Sequence, residues 1–231
     1  MCVNRPFGAA KSERLLHNSM SVLNVRHVWQ LDPESGVPLD QRRSVCAPAA
    51  VNIVLDYMLG RTGNDSFKVV DIIALMEKAG GRVNGVGWKH SAGVGALNAH
   101  GLIAWRRNWL APSQDPRHFI EVEGYDDRQV RAFLAQLAAE EQVEGSIEEK
   151  ALHSIKRSID DNCPVIASVK AGFSENEGYH QIVIAGYGET DRGEWLDIVD
   201  PLLPADKQTR VGIEYFLSYY KLQSIFVKSP D

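Results

Sequence analysis

Three observations predict an α+β fold with helices first and an antiparallel sheet second. Apolar residues recur at helical spacing through Val69, Ile72, Ile73 and Met76, and again through Leu152, Ile155 and Ile159. From Val165 onward the period changes to short β-branched and aromatic runs, 165–170, 180–188 and 195–199, separated by turn-rich segments. At 231 residues, 44% of them hydrophobic, the chain is long enough for one packed core or for two small lobes sharing a cleft.

Taken in order, residues 1–20 mix Gly, Ala, Lys, Arg, His and Asn without a period and are expected to form a loose arm, with Met20 a possible start. Residues 21–231 are expected to form a single domain. Strand character runs from Ser21 to Leu31, followed by the turn-rich stretch Asp32 to Pro38. An apolar helix then opens at Cys46, because Pro48 is tolerated only in a first helical turn, where its missing N–H has no intrahelical acceptor. The helix carrying Val69 to Met76 should stop at Gly80-Gly81, and a third should cover Ser91 to Ala99. A short apolar run, Leu102 to Trp105, precedes what the composition of 106–125 suggests is an exposed loop. Asp126-Asp127 caps a helix with Val130, Phe133, Leu134 and Leu137 on one face, and Ser146 to Glu149 matches a capping box. After the three strands, 213–220 reads as a helix and 223–227 as a closing strand.

Composition excludes several classes. A formal net charge of −5 without a dense Lys/Arg run argues against nucleic acid and against an anionic membrane surface as partners. The 3 cysteines, Cys2, Cys46 and Cys163, show no C-x-x-C pair and no disulfide spacing, so they read as reduced thiols. With no signal-peptide core in the arm, a cytoplasmic protein is expected. His90 and His100 lack the H-E-x-x-H, paired-Cys or carboxylate company of a metal site, and no strand–G-x-G-x-x-G–helix order is present, so neither metal nor nucleotide cofactor is expected.

The candidate chemistry centres on Cys46. A thiol at a helix N-terminus gains thiolate character from the macrodipole and from nearby cations. A lone cysteine is more often a small buried hydrophobe, so partners must be found. His180 stands at the start of a strand and Asp200 at the end of the next, 20 residues later. A hairpin brings the start of one strand beside the end of its neighbour, which makes His180 and Asp200 expected neighbours. A nucleophile, a base and an orienter then follow in the order Cys, His, Asp.

These motifs, CAPAA opening a helix, GWKH before a mid-chain helix, HQIVIAGYG and IVDP before an aromatic helix, resemble papain-fold cysteine peptidases of the bacteriocin-processing, double-glycine-leader type and their stand-alone relatives. The resemblance spans roughly residues 22 to 227. It implies a papain-like domain, with Cys46 as nucleophile, His180 as base and Asp200 as orienter. It also implies an upstream glutamine amide that joins the Cys46 N–H as an oxyanion hole. Gln30, in the His27-Val28-Trp29-Gln30 context of such families, is preferred; Gln41, at the shorter papain-like distance, is the alternative. Trp88 and His90 match the mid-chain element and are substrate-binding candidates. One departure is Ala47, where these enzymes commonly carry Gly.

The expected function is hydrolysis of a peptide or isopeptide bond in a peptide or protein substrate, through an acyl-enzyme on Cys46. Two alternatives stand beside it. One is acyl or peptidyl transfer on the same three residues, and the other is a peptide-binding module of the same fold without turnover, which Ala47 would favour. Neither the oligomeric state nor the substrate's sequence preference is readable from the chain.

Overall fold

A helix buried along most of its length sets the architecture. In the computed structural model, which describes residues 20–83, 87–110, 123–174, 178–207 and 209–230, α1 spans Cys46–Met58 and every side chain from Ala47 to Asp56 is buried. Cys46 is the first residue of the helix and Pro48 the third, so the proline costs no intrahelical hydrogen bond. Two polar groups in this apolar helix hold the following connection: Asn52 Nδ2 donates to the Phe67 carbonyl at 2.9 Å, and Asp56 accepts from the Phe67 N–H at 3.0 Å and from Arg26 at 3.1 Å.

The remaining elements are β1 (Ser21–Val22), α2 (Val69–Lys78), β2 (Arg82–Val83), β3 (Gly87–Trp88), α3 (His90–Ala99) and β4 (Ile103–Asn108). They are followed by α4 (Asp127–Glu141), α5 (Ile147–Asp160), β5 (Val165–Lys170), β6 (Tyr179–Thr190) and β7 (Gly193–Val199), then by β8 (Thr209–Gly212), α6 (Ile213–Tyr219) and β9 (Tyr220–Lys228). Both expected capping boxes are formed, Asp126 with Gln129 and Ser146 with Glu149.

The main sheet is antiparallel with strand order β4-β9-β5-β6-β7-β8, while β2 and β3 pair separately. β6 is its hub. It pairs with β5 through Tyr179 to Ile184 and with β7 through Val183 to Thr190; β1 takes up positions Gly186 and Tyr187. Gly186 is required by that approach: a Cβ there would lie 2.8 Å from the Ser21 carbonyl oxygen, closer than real Cβ contacts allow.

The α+β class is as expected, with three local differences. Strand character at 21–31 resolves into only two paired residues, because β5 already occupies that side of β6 up to Ile184. The strand after α3 continues through Trp105 to Asn108, into the stretch expected to be loop, since its partner β9 extends that far. This also places a first-half strand in the second-half sheet. β8 was not foreseen; it pairs through Trp195–Gly212 to Ile198–Thr209 on the outer side of β7. The expected arm, with Cys2, lies almost wholly outside the described residues.

Candidate active site

The start of α1 abuts the start of β6. The Cys46 thiol, partly exposed, is hydrogen-bonded to the His180 ring and to the backbone N–H groups of Gln181 and Ala47. On the far side of the ring, His180 Nε2 donates to Asp200 Oδ1 at 2.5 Å, which leaves Nδ1 toward the thiol. Register explains how Asp200 gets there. Val199 pairs with Val183, so the chain leaves β7 just short of His180 and a carboxylate spans the remaining distance. The same Oδ1 accepts from the Leu202 N–H at 2.8 Å, fixing the carboxylate's rotamer.

Burial by itself would raise the Cys46 pKa, but the hydrogen bond and positive charge of His180, with the two backbone N–H groups, outweigh it and hold the thiol below its ordinary value. Burial likewise disfavours a charged His180, yet Asp200 and Cys46 together push its pKa up to about 10. The direction of both shifts favours a thiolate–imidazolium pair. Cys163 behaves in the opposite way, since burial pushes its thiol up.

The thiol opens onto a cleft of about 540 Å³ between the α1 and α3 N-termini and the sheet. Trp88 and His90 both line it, as do Ser168, Gln181 and Gln223. Trp88 Nε1 donates to the Ser44 carbonyl at 2.9 Å, so the indole's orientation is fixed. His90 Nε2 shares a 2.6 Å hydrogen bond with Ser168 Oγ. Burial, reinforced by the Arg106 charge, lowers the His90 pKa to about 4. Ala47 also borders the cleft, beside the nucleophile.

Neither glutamine considered for the oxyanion hole reaches this cleft. Gln30 is fully buried and its Nε2 donates to the Arg42 carbonyl at 3.0 Å, while its own N–H donates to the Pro201 carbonyl at 2.8 Å. Gln41 is exposed and ends the turn before the Arg42–Ser44 helical turn. The His27-Val28-Trp29-Gln30 segment instead braces the Asp200 turn: His27 donates to the Asp200 carbonyl at 3.4 Å and Trp29 Nε1 to the Leu202 carbonyl at 3.3 Å. The backbone donors that do face the thiol are the Ala47 and Gln181 N–H groups, and the Cys46 N–H, at the helix start, has no intrahelical acceptor. Gln30→Ala is therefore expected to act mainly through stability, lowering the unfolding free energy by about 1–3 kcal/mol in urea denaturation. A kcat loss of about 10²–10³ with unchanged stability would return the oxyanion role to Gln30.

A family model described as the Peptidase_C39 like family matches residues 22–224. The chain belongs to the Peptidase_C39-like family. That membership and the helix-on-sheet arrangement make this a cysteine peptidase fold. Among solved structures, the peptidase domain of Streptococcus ComA, a bi-functional ABC transporter involved in quorum sensing, superposes at TM-score 0.46 with 16% identity, covering 88% of this chain and 98% of that one. A double glycine motif protease from an AMS/PCAT transporter, in complex with the leader peptide, gives 0.46 and 14%, covering 90% and 94%. UfSP from C. elegans gives 0.50 and 11%, over 91% of this chain and 34% of that one. No curated protein matches the chain.

In this Peptidase_C39-like domain, sequence reasoning missed Ser168, Gln181 and Gln223 as cleft residues. A signal was present, because a buried polar residue inside an otherwise apolar strand, as in VIASVK and HQIVIAG, needs a partner or a purpose. Among the described residues no group of three or more His, Cys, Asp or Glu side chains is arranged to hold a metal, and no helix is long and apolar enough to cross a membrane.

Proposed function

We propose that this protein is a thiol hydrolase that cleaves a peptide or isopeptide bond through an acyl-enzyme on Cys46. The observation that carries the reading is the linked set of Cys46, His180 and Asp200 at a cleft, with the thiol pKa lowered and the imidazole pKa raised. In the first half-reaction the Cys46 thiolate attacks the substrate carbonyl carbon, and the C–O π pair moves onto oxygen beside the Cys46 N–H. Collapse of that intermediate breaks the C–N bond as His180 Nδ1–H protonates the departing amine. In the second, neutral His180 removes a proton from water, the hydroxide attacks the thioester, and the carboxylic acid leaves as thiolate and imidazolium are restored. Asp200 holds the ring with Nδ1 toward sulfur throughout. Cys46 and Cys163 are both free, in keeping with a reducing, cytoplasmic setting.

Thiol reactivity tests the reading before any substrate is known. At pH 6 a thiol of ordinary pKa, about 8.5, is only about 0.3% ionised, whereas Cys46, held below its ordinary value by His180 and two backbone N–H groups, should carry a larger thiolate fraction. Brief iodoacetamide treatment at pH 6 followed by peptide mapping should modify Cys46 well ahead of Cys2 and Cys163, and His180→Ala should erase much of that lead. Labelling of Cys46 no faster than Cys2 would remove the nucleophile.

A further inference from the structure

Beside the thiol, the cleft floor is built from strand residues whose side-chain polar groups have no role in the chemistry proposed above. Ser168 on β5 is the cross-strand partner of Gln181 on β6, and Gln223 on β9 adjoins Ser224, the partner of Ala167. Three adjacent strands thus present a hydroxyl and two carboxamides to one cleft. Gln181 is only 6% exposed, and its Oε1 is buried without a hydrogen-bond partner. An unmet acceptor in such a place is costly unless something supplies an N–H. His90 closes the pocket through its bond to Ser168, and the fixed Trp88 indole forms an apolar wall.

Resting on the thiol hydrolase reading, we propose that Gln181, Ser168 and His90 form a subsite that recognises a carboxamide side chain, glutamine or asparagine, next to the scissile bond. A carboxamide brings N–H donors for the orphan Gln181 Oε1 and a carbonyl for the Ser168–His90 pair, while its methylene stem packs on Trp88. A hydroxyl offers one donor only. Among the described residues a carboxylate finds no free buried cation in the cleft: His90 is held neutral by burial and by Arg106, His180 is engaged by Asp200 and Cys46, and the Arg43 guanidinium that also lines the cleft is exposed. Among the described residues lining the cleft no carboxylate is present to pair with a cationic side chain.

The test is protection of Cys46 from iodoacetamide at pH 6 by N-acetylated pentapeptide N,N-dimethylamides, Ala-Ala-X-Ala-Ala, with X as Gln, Met, Glu, Lys or Thr, so that no terminal carboxamide mimics the side chain. Because such peptides can bind in any register, X reaches the subsite on either side of the bond. Half-protection by the Gln peptide is expected at a concentration at least about tenfold below that of each other peptide, since a site built to hydrogen-bond a group rejects analogues lacking it. In Gln181→Met the Gln and Met peptides should fall within about threefold of each other, and Ser168→Ala, a milder change, should narrow the gap in the same direction. Equal protection in the wild type, a preference for another X, or a Gln preference that survives both substitutions overturns the subsite. Failure of iodoacetamide to alkylate Cys46 without peptide overturns the hydrolase reading and the subsite together, so the two failures are distinct.

Discussion

Cys46→Ala is expected to abolish turnover while leaving the fold intact, with a loss of roughly 10⁶-fold in kcat, the scale seen when a nucleophile or its base is removed from a hydrolase triad. Alanine is smaller than cysteine and suits a helix start flanked by Ala47, so thermal unfolding should change little. Among the described residues lining the cleft, Ser168 with His90 is a hydroxyl hydrogen-bonded to an imidazole, and it makes a poor substitute. A base held near 4 is too weak to activate a serine hydroxyl at neutral pH. His180→Ala should be nearly as damaging as Cys46→Ala, and the double variant no worse than either, because the two groups act as one unit. The measurement is cleavage of a peptide library read by mass spectrometry. Cys46→Ala protein that kept a thousandth or more of wild-type turnover, about 10⁻³, would place the nucleophile elsewhere.

The second large effect is expected at Asp200. Asp200→Asn should keep the fold and lower kcat by roughly 10⁴-fold, because an amide holds the imidazole in the wrong tautomer and no longer supports the imidazolium. The pH profile should move as well. In the wild type, activity requires thiolate together with imidazolium. It should therefore rise through the lowered Cys46 pKa on the acid side and fall on the alkaline side as His180 loses its proton near 10. Asp200 is foremost among the groups that raise the His180 pKa, so its replacement should shift the alkaline limb to lower pH. Asp197→Asn is the control. Asp197 lies opposite Gly186 in the β6–β7 ladder and beside Arg210, away from the ring, and its replacement should leave the profile in place. A crippled Asp197→Asn with an unaffected Asp200→Asn would assign the orienter to the wrong carboxylate.

Much of this site was legible without coordinates because its signals are local. Pro48 sets the start of α1 and so puts Cys46 at a helix N-terminus, and strand periodicity puts His180 and Asp200 at facing strand ends. The oxyanion residue was not legible in this way. Gln30 sits where family spacing suggests, but spacing does not say which way an amide points, and here it ties the Arg42 carbonyl while its neighbours brace the Asp200 turn.

The sequence alone determined the α+β class, the capped helices, the change of period at Val165, the place of Cys46 at a helix start and the nearness of His180 to Asp200, because each depends on contacts within a turn, a helix or one hairpin. Only the tertiary structure decided that β4 joins β9 across the sheet, that β1 is cut to two residues by β5, and that His90 meets Ser168 beside an unpartnered Gln181. Those outcomes depend on register between strands and helices far apart in the chain, and register is fixed by the packing of whole faces against one another, which no single segment encodes.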